Sequence, residues 1–255
     1  MAGPWLVHWH PEPAAAPLLL CVPPAGASCG QFRDWQDRLG TGVSVVGVQL
    51  PGRESRWRDP APGSVDEVVH AVAAELTALV PAGHPVTVFG HSFGGLLGHE
   101  IALLLEEQRV LPPRALVVSA CRPPEHWVSA GRGLVDDDEE LERLLDARGL
   151  EPDDLDEDSR ELMLEVLRAD ARLSLSYRLR GDARLVCRLE AWGGSDDKTV
   201  SPEQVAGWRA YAAGEFGERI LPGGHYFCLQ DPQPALELLR PMIRPPAGQP
   251  EGSAR

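Results

Sequence analysis

Six short, mostly apolar runs recur along this chain: Leu18 to Val22, Val43 to Leu50, Val86 to Phe89, Ala115 to Ala120, Leu185 to Trp192 and Arg219 to Leu221. Their near-continuous apolarity, in place of the alternation of a half-solvated sheet, predicts strands covered on both faces. Between the second and third runs, Ser64-Val65-Asp66-Glu67 has the form of a capping box. It opens a stretch with Val65, Val68, Val69, Val72, Leu76 and Leu79 at helical spacing. Strand and helix in alternation predict an α/β chain with a mainly parallel, doubly wound sheet and right-handed crossovers. With 255 residues, 43% of them hydrophobic, a single such domain is the simplest count.

The alternation breaks between Arg122 and Arg180, where helical patterns occur without a convincing strand. Residues 122–180 are therefore expected to form a helical lid inserted into a core made of residues 1–121 and 181–244. Within it, Glu161-Leu162-Met163-Leu164-Glu165-Val166-Leu167-Arg168 is amphipathic enough to pack on a neighbour. Between Asp136 and Glu161 fourteen acidic residues stand against three arginines, so this stretch holds most of the formal charge of −14. Such a run reads as a solvated helical face. An acidic balance also argues against nucleic-acid binding, which needs a basic face. Residues 245–255, rich in Pro and Gly, are expected to be disordered. The five cysteines are scattered and fit neither a disulfide framework nor a zinc site. Without a leader pattern or a bilayer-length apolar segment, a soluble cytoplasmic monomer is expected.

Chemistry enters at Gly90-His91-Ser92-Phe93-Gly94-Gly95, which follows the third strand run and precedes the helical Leu96 to Leu105. The pattern G-x-S-x-G in this setting predicts a nucleophile elbow, a strained turn that exposes the serine hydroxyl above the sheet. No Lys-Ser/Thr follows, as a phosphate loop would require. A serine needs a histidine base and an orienting carboxylate, in the chain order Ser, acid, His. Beyond the serine's own helix only His126 and His225 follow it. His225, in the glycine turn Pro222-Gly223-Gly224-His225-Tyr226-Phe227, stands where a late catalytic loop belongs. His126 precedes the acid candidates. Those are Asp196 and Asp197, in the turn after the fifth strand run, and spacing does not decide between them. Asp231, after the histidine and before Pro232, reads as a helix cap. The oxyanion of an acyl transfer takes the backbone N–H of Phe93 and a second one from the loop Pro23-Pro24-Ala25-Gly26-Ala27-Ser28. The prolines have none to give, which leaves Ala25, Gly26 or Ala27.

Five motifs in this order resemble the type II, stand-alone thioesterases that accompany polyketide and nonribosomal peptide synthetases. They are Cys21-Val22-Pro23-Pro24-Ala25-Gly26-Ala27, Gln49-Leu50-Pro51-Gly52-Arg53-Glu54, GHSFGG, Leu167-Arg168-Ala169-Asp170 with Tyr177, and Pro222-Gly223-Gly224-His225-Tyr226-Phe227. The resemblance covers nearly the whole chain and implies the α/β-hydrolase fold with an inserted helical lid. It also implies a catalytic triad of Ser92, Asp197 and His225 and a second oxyanion donor near Ala27. The substrate it implies is an acyl thioester on the phosphopantetheine arm of an acyl or peptidyl carrier protein, hydrolysed to clear stalled or mis-primed chains. No metal or bound cofactor is required.

Carrier proteins are usually acidic, so the acidic stretch is a poor docking face, and the basic cluster Arg53, Arg56 and Arg58 is the expected one. Three other functions are compatible with the same residues. They are a carboxylesterase or lipase, an acyltransferase, and a hydrolase-like binding module without catalysis.

Overall fold

The computed structural model describes residues 4–10, 15–133, 135, 137–146 and 156–244. The tail expected to be disordered and the middle of the acidic run lie outside these residues. Seven strands form one sheet: β1 (Leu6–His8), β2 (Leu18–Val22), β3 (Ser44–Val48), β4 (Val86–His91), β5 (Ala115–Ser119), β6 (Arg188–Gly194) and β7 (Phe216–Leu221). Their spatial order is β1-β3-β2-β4-β5-β6-β7. All neighbours are parallel except β1, which runs antiparallel to β3 at the edge. The fold is the α/β-hydrolase one, with a mostly parallel sheet flanked by helices.

The helices are α1 (Arg33–Leu39), α2 (Val65–Leu79), α3 (Phe93–Gln108), α4 (Asp138–Asp146), α5 (Glu157–Leu175), α6 (Pro202–Gly207), α7 (Phe227–Gln230) and α8 (Pro232–Ile243). Alternation along each strand sends side chains to two cores. Leu18, Leu20 and Val22 of β2 pack with Val88, Leu116 and Val118 and with α2 and α3. Leu19 and Cys21 join Phe89 and Val117 on the other face, with α1 and α8. Each fully buried Leu, Val or Phe contributes on the order of 1.5–3 kcal/mol of transfer free energy, so burial on both faces is the main force holding the layers. Among the described residues no helix is long and apolar enough to cross a membrane.

Some local expectations shift. The fifth run begins its strand at Arg188, because Val186 and Cys187 give their N–H groups to the Glu106 carboxylate at 2.9 and 2.7 Å. The N-terminus of α2 is half a capping box. Ser64 Oγ accepts from the Glu67 N–H at 3.1 Å, but the Glu67 carboxylate takes the Gly63 N–H instead of that of Ser64. Strand β1 escapes sequence patterning because three residues cannot show a period.

No strand interrupts the described residues between β5 and β6, where α4 and α5 lie. The second half of α5 is anchored, with Leu173 and the following Tyr177 in the main core. Tyr177 donates to Glu100 of α3 at 3.0 Å, and Arg180 pairs with the same carboxylate at 3.1 Å. Farther up, Leu167 meets Leu141 and Leu145 of α4, with Ala25 of the loop after β2 against them.

Candidate active site

Chain order reverses around β2, which hands on to β3 on one side while β4 lies on the other. At such a switch point the loops leaving adjacent strands diverge and open a crevice at their carboxyl ends. The loop after β2 and the turn after β4 are neighbours there. Close approach is possible because Gly94 lacks a side chain: a Cβ would sit 2.3 Å from the Val22 carbonyl oxygen and 2.4 Å from that of Pro23. At Gly90 a Cβ would lie 2.1 Å from the Gly94 oxygen.

Ser92 occupies the tip with φ 52° and ψ −121°, a left-handed conformation strained for a residue with a side chain. Its N–H donates to the Ser119 carbonyl at 2.8 Å, tying the turn to β5. Helix α3 starts at the next residue and directs the positive end of its dipole at this point. As its first residue, Phe93 has no intrahelical acceptor for its N–H.

The Ser92 hydroxyl lies 3.1 Å from His225 Nε2, and His225 Nδ1 lies 2.9 Å from Asp197 Oδ2. The sequence leaves two aspartates open, and it is Asp197 that reaches the histidine. Its other oxygen accepts from the N–H groups of Thr199 at 2.7 Å and Val200 at 3.1 Å. Burial alone would raise the Asp197 carboxyl, but the hydrogen bond and charge of His225 and those two N–H donors outweigh it and hold the group below the ordinary aspartate value. Asp196 is exposed, accepts from the Ser195 hydroxyl at 3.2 Å and gives its own N–H to Gly223. His126 is half exposed beside Glu125, outside this constellation. Asp231 stands at the N-cap of α8, but its side chain makes no capping bond.

Behind the histidine lies His91, fully buried, with Nδ1 3.2 Å from Ser119 Oγ and 3.3 Å from Cys228 Sγ. Its ring meets that of His225 edge-on, centroids 5.4 Å apart. Burial first, and the neighbouring His225 second, hold its pKa well below that of a free histidine. A neutral ring is thus wedged against the back of His225, a role that the sequence reading did not assign.

Two expectations are corrected. The Ala27 N–H is committed to the Pro24 carbonyl at 3.1 Å within its own turn, so in this conformation it is not offered to an oxyanion. The Gly26 N–H goes to Asp170 Oδ2 at 2.6 Å. Nor do the three arginines form an exposed basic face. Arg53 is only 7% exposed and makes a bidentate pair with Asp170 at 2.6 and 2.8 Å. Arg56 is 3% exposed, paired with Asp59 at 2.8 Å and stacked on Trp5. A guanidinium left unpaired in an apolar setting is costly, which is why both turn inward to partners. Only Arg58 is exposed, over the Trp57 ring.

Beyond the loop after β2, a mostly apolar cavity of about 470 Å³ opens between Gly26, Ala27, Trp57, Leu162, Met163 and Val166. Trp57 and Leu162 remain largely exposed at its rim.

The family described as Thioesterase domain matches residues 17–241 of the chain. Thioesterase PikA5 of Streptomyces venezuelae is 33% identical over 231 residues, covering 89% of this chain and 80% of that protein. Among solved structures, the type II thioesterase BorB from the borrelidin biosynthetic cluster superposes with a TM-score of 0.85 at 30% identity, over 96% of this chain and 99% of its own. The RedJ thioesterase from the prodiginine biosynthetic pathway in Streptomyces coelicolor gives 0.82 at 35% identity, over 95% and 96%.

Proposed function

Because the chain belongs to the thioesterase family, we propose that it hydrolyses acyl thioesters carried on the phosphopantetheine arm of carrier-protein domains, removing stalled or mis-primed chains from a polyketide or nonribosomal peptide synthetase. The observation that carries this reading is the line from Ser92 through His225 to the buried Asp197, with contacts of 3.1 and 2.9 Å.

In this mechanism His225 Nε2 takes the Ser92 proton as Oγ attacks the thioester carbonyl carbon. Negative charge gathers on the carbonyl oxygen, which the Phe93 N–H and an amide of the loop after β2 stabilise. Removal of one such donor in a serine hydrolase costs about 2.7–4 kcal/mol. Collapse of the adduct breaks the C–S bond, and His225 passes the proton to the departing thiolate sulfur, which leaves as the free thiol. Water, deprotonated by the same nitrogen, then attacks the acyl-serine and releases the carboxylic acid and Ser92. Asp197 holds Nδ1 and stabilises the imidazolium at each transfer without taking the proton. Every group used belongs to the chain itself, so the proposed chemistry asks for no metal or cofactor. The apolar cavity beside the loop is suited to an acyl chain, and its walls come partly from α5.

The test is a panel of acyl-carrier thioesters and simple oxygen esters offered to wild type and Ser92→Ala. Preferred turnover of carrier thioesters, lost in Ser92→Ala, is expected. Equal or better turnover of oxygen esters would instead make the chain a carboxylesterase.

A further inference from the structure

Three of the five sequence motifs meet at a place the hydrolytic mechanism leaves unexplained. The loop after β2 is gripped from two directions by a buried ion pair. From α5, the Asp170 carboxylate accepts the Gly26 N–H at 2.6 Å. From the segment after β3, Arg53 Nη1 donates to the Ala27 carbonyl at 3.0 Å. The two side chains close on each other through contacts of 2.6 and 2.8 Å. The next residues are held by the same segment. Ser28 donates to Glu54 at 2.5 Å, and the Cys29 thiol donates to Gln49 Oε1 at 2.8 Å. Gln49 in turn donates to the Arg53 carbonyl at 3.2 Å.

A buried ion pair adds little net stability over an apolar contact of the same volume, so stability is a weak reason for placing one here. What a planar bidentate pair does supply is geometry, because the guanidinium fork fixes both partners in orientation. The pair is fixed to the Ala25–Gly26 and Ala27–Ser28 peptide groups, on either side of the Gly26–Ala27 peptide, in the loop that lies against the nucleophile elbow at Gly94.

We propose that Asp170 and Arg53 are positioning residues that set the peptide orientation of the loop after β2, and through it the second oxyanion donor. The proposal rests on Ser92 being the nucleophile. It gives α5 a part in the chemistry as well as in shaping the site: displacement of the helix withdraws the carboxylate from Gly26 and loosens the loop. An oxyanion hole works because its donors are already aimed where charge develops, and a loop free to rotate its peptides loses that advantage.

The experiment compares wild type with Asp170→Asn and Arg53→Gln, using an acyl-pantetheine thioester for kcat and KM, an alkylboronic acid as a tetrahedral-adduct mimic, and thermal melting in parallel. Asp170→Asn keeps the shape but loses the charge. It is expected to lower kcat roughly 10- to 100-fold, less than full loss of a donor, with KM changed by less than about threefold. Boronate affinity should fall by a similar factor. Arg53→Gln should act in the same direction, and the double variant should lose less than the product of the two because both act on one loop. A kcat per folded molecule within about twofold of wild type in Asp170→Asn, whatever its melting temperature, would overturn the proposal. If that variant does not fold, Arg53→Lys, which keeps the charge but not the fork, decides by the same criterion. Ser92→Ala run alongside separates the two readings. Retained activity there removes the nucleophile itself, whereas an inactive Ser92→Ala with a normal Asp170→Asn removes this inference alone. Should wild type prefer oxygen esters, the same comparison is made on the preferred ester.

Discussion

Asp197 holds His225 Nδ1 at 2.9 Å with a side chain that solvent does not reach, while its immediate neighbour Asp196 faces outward, its carboxylate on the Ser195 hydroxyl and its N–H on the Gly223 carbonyl. Adjacent residues of one type thus have unrelated duties. Asp197→Asn should lower kcat by about 10³- to 10⁴-fold through the loss of tautomer control and imidazolium stabilisation. Asp196→Asn should leave kcat within about twofold, as surface changes away from a network usually do. Steady-state kinetics on one thioester substrate reads both, and equal losses would mean that the acid has been misassigned.

Gly94 is the point where the elbow and the loop after β2 touch. A methyl group there meets two carbonyl oxygens at 2.3 and 2.4 Å, and backbone cannot step aside as a flexible side chain would. Gly94→Ala is expected to destabilise the protein by about 1–3 kcal/mol, the usual cost of overpacking. It should also cut kcat by more than the folded fraction accounts for, because the loop proposed to carry an oxyanion donor is pushed from the proposed nucleophile, Ser92. Chemical denaturation and kinetics on the same preparation separate the two effects.

His91 should make stability fall in mild acid. Burial depresses its folded pKa below the unfolded value of 6.5, so below about pH 6.5 the unfolded chain binds a proton that the folded one refuses. Stability is therefore fully present above that pH and declines as pH drops. His91→Gln, which cannot titrate, should flatten the urea-denaturation midpoint between pH 7 and pH 5 relative to wild type. Parallel slopes in the two proteins would contradict the assignment.

The cavity walled by Trp57, Met163 and Val166 gives a test of where the acyl chain lies. Val166→Trp adds bulk to the wall contributed by α5. Relative kcat/KM should move toward short acyl thioesters by about 10-fold or more, in line with the 1–3 kcal/mol that a methylene or two is worth in an apolar pocket. An unchanged chain-length profile with normal folding would place the chain elsewhere.

Much of this protein was legible in its residues because the signals are local. Continuous apolar runs separated by a helical period require a sheet covered on both faces, and both cores follow from the alternation at Leu18 to Val22. GHSFGG after such a run specifies a serine at a strand-to-helix turn, and only His225 stands late enough, in a glycine turn, to serve it. By themselves these residues determined the layer architecture, the candidate nucleophile and the candidate base.

What the sequence could not carry is pairing across distance and the commitment of particular N–H groups. Asp170 and Arg53 are separated by 117 positions, and each alone reads as a charge near an apolar stretch. Arg53 and Arg56 count as basic surface until tertiary packing removes them from water, at which point desolvation forces each onto a carboxylate. Ala27 offers an amide in the sequence, but the turn spends it on Pro24. These outcomes depend on which backbone and side-chain groups meet once the order of strands reverses around β2. Burial then makes every unmatched polar group costly, so only the folded neighbourhood decides them.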